Sequence, residues 1–599
     1  MQDQTFSAAS IEDWKQKSEE SLKGRKVETL EKNTFEHIKL KPLYTRQDQQ
    51  PVSQFPARSD FRRGIFPLGY VSEDWKVAQK VETDGRLKEA LKIAFEKGQT
   101  AISFDVEEKY LSQIKDLEEY HGKYPYSLNA FENQPKLLKE ISKFQAAKEG
   151  NGFIGMDPMA LLAEKGLAKD TISEIYSDFY NTVEQAATAL PNIQTILVDT
   201  TVYHNGGANA VQELAIALST GVQHIEELSK RGLPLDTILS KLVFQFSIGS
   251  NFFMEVAKLR AARVLWNKVT EAYEVEENKR GMVISAVTSR FTKTVYDPYV
   301  NMLRAGNEAF AAVLGGIQYL HVSPFNEPEG KASAFSNRIA RNTQLILKEE
   351  THLTKTVDPA GGSWYVEQLT NELVDKAWEL FLVIDEKGGM VEALKEGFIQ
   401  SSIKRVREQR EDAIAHRKQT IVGTNRYADL QGHSLQVQKN TQEKEIGFIE
   451  PIPQTRLSEI YESLRERANR IKPVVGLITL GNLKSHKARV DFMTGFLAPG
   501  GIEGDASGEV NSTDDALRFV EKTNYKHFFI CGSNDQYAES GLHMVKKLKE
   551  VYPQTHLYLA GIPVDKDNWE GIRDFIHVKS NCYETLSSLL NELEVDTDE

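Results

Sequence analysis

At 599 residues the chain is too long for one hydrophobic core, so two or more domains are expected. Its 40% hydrophobic and 27% charged content is that of a folded globular protein, and a formal net charge of -13 argues against the concentrated basic face of a nucleic-acid binder. The two cysteines, Cys531 and Cys582, make neither a disulfide framework nor a zinc-ligand spacing, and no apolar run approaches the ~18 residues needed to span a bilayer; together these features point to the cytoplasm.

Residues 1–45 read as an arm. A mostly polar helix is expected over 11–22, followed by a stretch ending in Lys41-Pro42-Leu43-Tyr44-Thr45. With so few apolar positions the arm needs another surface, on its own chain or on a partner. Residues 46–410 then alternate short apolar strands with longer helical segments. Strands are expected at 77–82, 100–105, 152–157, 195–201, 242–247, 282–289, 317–323 and 354–357. Eight strands with helices between them predict a (β/α)8 barrel with its reactive loops at the strand carboxyl ends. The segment 251–266, NFFMEVAKLRAARVLW, follows one of these strands directly and reads as an amphipathic helix with Phe253, Val256, Ala257, Arg260 and Val264 along one side.

Residues 338–367, RIARNTQLILKEETHLTKTVDPAGGSWYVE, are the densest stretch of the barrel half. Phe335, Ile339 and Ile346 share one helical face, while Asn342 and Gln344 point elsewhere, which predicts a buried helix with a polar flank turned inward. The strand at 354–357 is expected next, then a tight turn at Pro359, Gly361 and Gly362, with Ser363 capping a helix that carries Val366, Leu369, Leu373, Ala377 and Leu380 and ends at Gly388-Gly389.

Polar residues dominate 419–444, and 411–465 as a whole reads as a linker that wraps. Residues 466–599 form a second α/β unit. Strands are expected at 474–480, 500–503, 527–532, 556–561 and 575–578, with helices starting near His486, Asp514, Gln536, Asp567 and Tyr583. Five alternating pairs predict a flavodoxin-like, doubly wound sheet whose ligands lie beyond the carboxyl ends of its first and third strands, at 481–489 and 531–534.

RIARNTQLILKEE followed by VDPAGGSWYVEQLT resembles the methylmalonyl-CoA mutase family, as do NFFMEVAKLRAARVLW, the pair Tyr203-His204 and the order barrel, linker, flavodoxin-like domain. The resemblance spans essentially the whole chain. It implies an architecture in which an acyl-CoA threads the barrel and adenosylcobalamin lies between barrel and carboxyl-terminal domain, for interconversion of (R)-methylmalonyl-CoA and succinyl-CoA. Family members divide into catalytic large subunits and non-catalytic small subunits.

Departures from the catalytic pattern separate the two. Catalytic chains carry D-x-H-x-x-G, in which the His ligates cobalt, the Asp orients it and the Gly leaves space for the nucleotide tail. This chain reads Lys484-Ser485-His486-Lys487-Ala488-Arg489, and the later glycine pair of catalytic chains is Ala560-Gly561. Lys484 offers the imidazole no acceptor, and by this resemblance Arg489 would occupy the tail's space. Catalytic chains also carry W-T-x-R-Q-Y with an Arg before the Trp, where this chain has Glu73, Trp75, Ala78, Gln79 and Lys80. Tyr70, Trp75, Gln79, Tyr203, His204, Arg260, Arg263, Asn342 and Glu350 are kept.

The resemblance therefore implies a small subunit with no catalytic residues and no metal ligands of its own. Tyr70, Glu73, Ala78, Lys80, Tyr203 and His204 become vestigial substrate-site positions, and Lys484, His486, Arg489 and Gly561 degenerate cobalamin-site positions. Cofactor and acyl-CoA substrate would belong to a homologous large chain. Two alternatives stand beside this reading: a catalytic acyl-CoA mutase with an altered cofactor site and specificity, and a scaffold or regulator that is not an obligate subunit.

Overall fold

Strand-helix alternation builds two parallel sheets. The computed structural model describes residues 9–48, 55–83, 85–432, 434–437 and 447–598; positions 1–8 of the expected arm and 433 and 438–446 of the expected linker lie outside the described residues. The arm opens with helix Ile11–Ser21, capped by a reciprocal Ser10–Asp13 box, and continues into a hairpin of β1 (Lys32–Asn33) and β2 (Lys39–Leu40). The hairpin tip docks on its own chain: Asn209 Nδ2 donates to the Phe35 carbonyl at 2.8 Å and the Ala210 amide to Glu36 Oε1 at 3.3 Å.

The barrel strands are β3 (Lys76–Val77), β4 (Tyr126–Asn129), β5 (Gly152–Met156), β6 (Ile193–Asp199), β7 (Leu242–Ile248), β8 (Ile284–Thr288) and β9 (Tyr319–His321), in the spatial order β3-β9-β8-β7-β6-β5-β4. The two open edges, β3 and β4, are joined by residues 100–103. Thr100 and Val81 amides donate to Val77 and Ser103 carbonyls on one side, and Ile102 and Ser127 amides to Pro125 and Ile102 carbonyls on the other. This segment is the eighth stave, and it closes an α/β barrel.

Three expectations need correction here. The strand expected at 354–357 is absent: Leu353–Lys355 is a single 3-10 turn, entered through His352 at φ 58°, because the Asp358–Gly362 turn and a buried ion cluster fix this backbone. Tyr126–Asn129 supplies a stave that apolar patterning missed. On helix Ala334–Glu349 the polar flank does turn inward, with Ser336, Arg341 and Gln344 buried beside Ala340 and Leu347, but the apolar face is not buried as expected, since Phe335 and Ile346 are exposed.

That ion cluster pins the barrel's outer layer. Helix Phe252–Ala272 is buried almost all round rather than on one stripe, although Phe253 is exposed. From it, Arg260 reaches both carboxylate oxygens of Asp358 (2.9 and 3.0 Å) and Glu367 Oε1 (2.7 Å), at the first turn of helix Trp364–Glu386. Arg62 and Arg63 close on the same two carboxylates at 3.3–3.6 Å. Arg263, one turn on, donates to the carbonyls of Phe61, Arg62, Gly315 and Gly316. Burial pulls its pKa down to about 10.

The second sheet comprises β10 (Val474–Leu480), β11 (Glu503–Val510), β12 (His527–Cys531), β13 (His556–Ala560) and β14 (Ile572–Ile576), all parallel in the order β11-β10-β12-β13-β14, which is the flavodoxin order. Its second strand follows the position expected for it, since Ala498–Gly500 is a 3-10 turn and the polar run Glu503–Val510 forms the edge strand. Lys566–Asn568 is likewise only a 3-10 turn where a helix was expected. Helix Phe398–Ala415 runs across position 411 and helix Glu459–Ile471 across position 465, so both ends of the connecting segment are helical. Glu459–Ile471 binds this sheet to the barrel top: Glu462 accepts from the Val295 amide at 2.9 Å, and Ser458 Oγ donates to the Lys293 carbonyl at 3.1 Å.

Removing Arg260 leaves two buried carboxylates with only Arg62 and Arg63 for compensation. Arg260→Met is expected to cost about 3 kcal/mol, the low end for breaking a buried pair, read as a lowered urea midpoint.

Candidate functional site

The positions expected to mark a substrate site fall at three levels of the barrel. Tyr70 and Glu73 lie below the strands. The Tyr70 hydroxyl is buried within reach of the Val313 (3.0 Å) and Ile317 (3.1 Å) carbonyls, with its ring edge-on to Trp75, while Glu73 is exposed. Ala78 lies at the waist in a cluster with Ala101, Phe153, Leu197, Val243 and Tyr319. Phe153 is on β5 and Tyr319 on β9, four places apart in the sheet order, yet their rings meet edge to face at 5.2 Å. That contact crosses the lumen. The waist through which the resemblance threads an acyl-CoA is therefore packed with the chain's own side chains.

The upper level is polar. Lys80 pairs with Asp105 at 2.7 Å, and its amide lies 3.3 Å from His321 Nδ1. Desolvation opposes the Lys80 charge but Asp105 outweighs it and raises its pKa; Lys80 in turn holds Asp105 down. Burial, helped by Lys80, lowers the His321 pKa to about 3, so this imidazole is neutral. Asp199, at the end of β6, accepts from Thr201 (3.0 and 2.7 Å) and from Asn129 Nδ2 (2.8 Å), and burial pushes its pKa up to about 6.

His204 belongs to a different cluster. Its Nε2 lies 2.7 Å from Ser289 Oγ and its Nδ1 3.2 Å from Glu213 Oε2. Glu213 also accepts from Lys258 Nζ at 2.7 Å, and Lys258 reaches Glu255 at 2.6 Å. Burial opposes ionisation in this group; the Lys258 charge holds Glu213 down, while Glu255, facing a second carboxylate, is pushed up. His204 is thus an interior histidine with both ring nitrogens engaged. Tyr203 beside it is wholly buried in the main apolar core. Sequence reasoning missed Glu213, Glu255, Lys258 and Ser289, although Glu255 and Lys258, opposite charges one turn apart among Met254, Val256, Ala257 and Leu259, are a legible sign of a buried pair.

At the carboxyl edge of the second sheet, Asn482 caps helix Leu483–Leu497, and Lys484 is exposed. The His486 ring is buried, with Nδ1 3.2 Å from both the Leu480 and Gly481 carbonyls. Arg489 crosses the notch between β10 and β13. Its Nη2 donates to Asn534 Oδ1 at 2.8 Å, its guanidinium lies 5.4 Å from the Tyr537 ring centroid, and it presses on Gly561 so closely that a Cβ there would overlap it. Gly561 has φ 104°, a conformation that glycine tolerates. The Gln536 amide abuts Gly481 in the same way. The Tyr537 hydroxyl sits 3.0 and 2.9 Å from the Ile530 and Ala560 carbonyls. Arg489, Gln536 and Tyr537 fill this notch with the chain's own side chains, and Lys484 offers His486 no carboxylate acceptor, so these residues do not fit a histidine-ligated cobalamin.

The methylmalonyl-CoA mutase family model matches residues 33–110 and 137–474. A methylmalonyl-CoA mutase small subunit from Streptomyces virginiae is 30% identical, across 97% of this chain and 95% of its own. One from Porphyromonas gingivalis is 29% identical across 97% of each chain. A methylmalonyl-CoA mutase from Cereibacter sphaeroides is 33% identical, across 70% of this chain and 64% of its own.

Asp199 yields a pH signature. Its folded pKa of about 6 stands above the ordinary 3.8, so the folded state holds the proton more tightly and gains stability as pH falls from 7 towards 4. The gain is at most about 3 kcal/mol. In Asp199→Asn that component disappears, visible as a urea midpoint that rises less, or falls further, between pH 7 and pH 4 than in the wild type.

Proposed function

This chain belongs to the methylmalonyl-CoA mutase family, and we propose that it is the small, non-catalytic subunit of a heterodimeric mutase. Its homologous large partner carries out the adenosylcobalamin-dependent interconversion of (R)-methylmalonyl-CoA and succinyl-CoA, and holds both cofactor and acyl-CoA. The isolated small chain is inactive. In this reading residues 1–45 are an arm, 46–410 the barrel, 411–465 a wrapping linker and 466–599 a cobalamin-type domain without its cofactor.

Arg489 carries the reading. Its guanidinium against Gly561, bonded to Asn534, takes up tail space. Reopening that space requires moving a charged group out of several contacts at once. The Phe153–Tyr319 contact across the lumen supports the same conclusion for the substrate independently. Loss at one site alone fits a mutase of altered specificity; loss at both fits a chain whose chemistry resides in a partner.

Cobalt counting tests it. The chain purified alone is expected to carry no cobalamin and no mutase activity, and the same chain co-expressed with the large subunit to give one cobalamin per heterodimer. One cobalamin per isolated chain, with a histidine-ligated spectrum, overturns the proposal.

A further inference from the structure

At the amino edge of the second sheet, opposite the Arg489 notch, three potential metal ligands converge. His527 and His556 are the first residues of β12 and β13 and are register partners across neighbouring parallel strands, with rings stacked 4.9 Å apart. Glu592 reaches them from the carboxyl-terminal helix Cys582–Asp598, its Oε2 3.9 Å from His527 Nε2. One ligand atom from each of the three lies within 4.8 Å of the others. The sheet register fixes the two histidines relative to each other before any ligand arrives, which lowers the cost of assembling a site.

Hydrogen bonding sets the His556 ring in the required state and turns the second His527 nitrogen towards Glu592. Arg573 on β14 donates from Nη1 to His556 Nδ1 at 3.0 Å and to Glu592 at 2.8 Å. A guanidinium only donates, so His556 Nδ1 carries a lone pair. His527 Nδ1 lies 3.3 Å from the Tyr558 hydroxyl, which leaves Nε2 as the nitrogen turned towards Glu592. Arg573 thus holds a cation against two donors of a three-donor cluster, from a side chain 43% exposed on the solvent side.

We propose that His527, His556 and Glu592 form a binding site for a divalent transition metal of the zinc class, in which the ion replaces the Arg573 guanidinium. Two imidazoles and one carboxylate are a donor set that zinc takes with a fourth, solvent-filled position, and the departing arginine opens that position. A tetrahedral ion needs donors about 3.3 Å apart. The closure from 4.8 Å is within reach of the half-buried His556 and Glu592 side chains, while the buried His527 stays as the anchor. The bound ion would tie the last helix to the middle of its sheet.

Zinc titration of the full-length chain against a chromophoric chelator tests this in three proteins. One zinc is expected per wild-type chain, with about tenfold weaker binding or none in His556→Ala and about tenfold tighter binding in Arg573→Met, where the competing cation is gone. Glu592→Gln serves as the donor variant if circular dichroism shows His556→Ala misfolded. Equal zinc affinity in the wild type and the donor variant, or no tightening in Arg573→Met, overturns the proposal.

Discussion

The buried ion cluster around Arg260 is the constraint on which the barrel's outer layer depends. One guanidinium, inaccessible to water, joins a helix that follows β7 to the turn and helix that follow β9 through Asp358 and Glu367. Such a charge is tolerated only when its partners are fixed. The turn is therefore held rigidly: Gly361 packs against Asp358 and Arg63 where a Cβ would collide, and the Gly362 amide donates to Glu367 at 3.2 Å. The motif DPAGGSWYVE is in this chain a piece of charge chemistry that locks helices together, at a distance from the strand ends where barrel reactions take place.

That distinction explains what was legible in the sequence. The long buried strands β5 to β8 and the amphipathic helices announce themselves through periodicity, and the flavodoxin order follows from five regular alternations. Short or polar elements do not. Glu503–Val510 is an edge strand with much of its surface in solvent, so nothing selects for an apolar run. Tyr126–Asn129 alternates only Tyr and Leu inward over four residues. The run Thr354–Val357 has the β-branched residues of a strand, but the ion cluster next to it dictates the backbone, a tertiary override of local propensity.

The sites show the same division. Arg489 is readable as an obstruction because a resemblance supplies the glycine it replaces, and its side chain packs against Gly561. Gln536 and Tyr537, which complete the filling, belong to no motif. Their role arises from the helical turns beyond β12 packing over the notch, which no single-residue substitution signals. His204 was ambiguous for a related reason: its meaning depends on Glu213 and Ser289, one on the following helix and one two strands away.

The sealed waist has a further consequence for how this chain can change over time. A barrel that must admit a long ligand is held to small, polar or precisely placed residues along its axis, and each substitution there is judged by what it does to passage. Where Phe153 and Tyr319 meet across the lumen, the criterion becomes volume alone. Interiors accept apolar exchanges that conserve volume at modest cost. The waist of this barrel is thus free to drift as any hydrophobic core drifts, while Arg260, Asp358 and Glu367, which answer to one another's charge, are not.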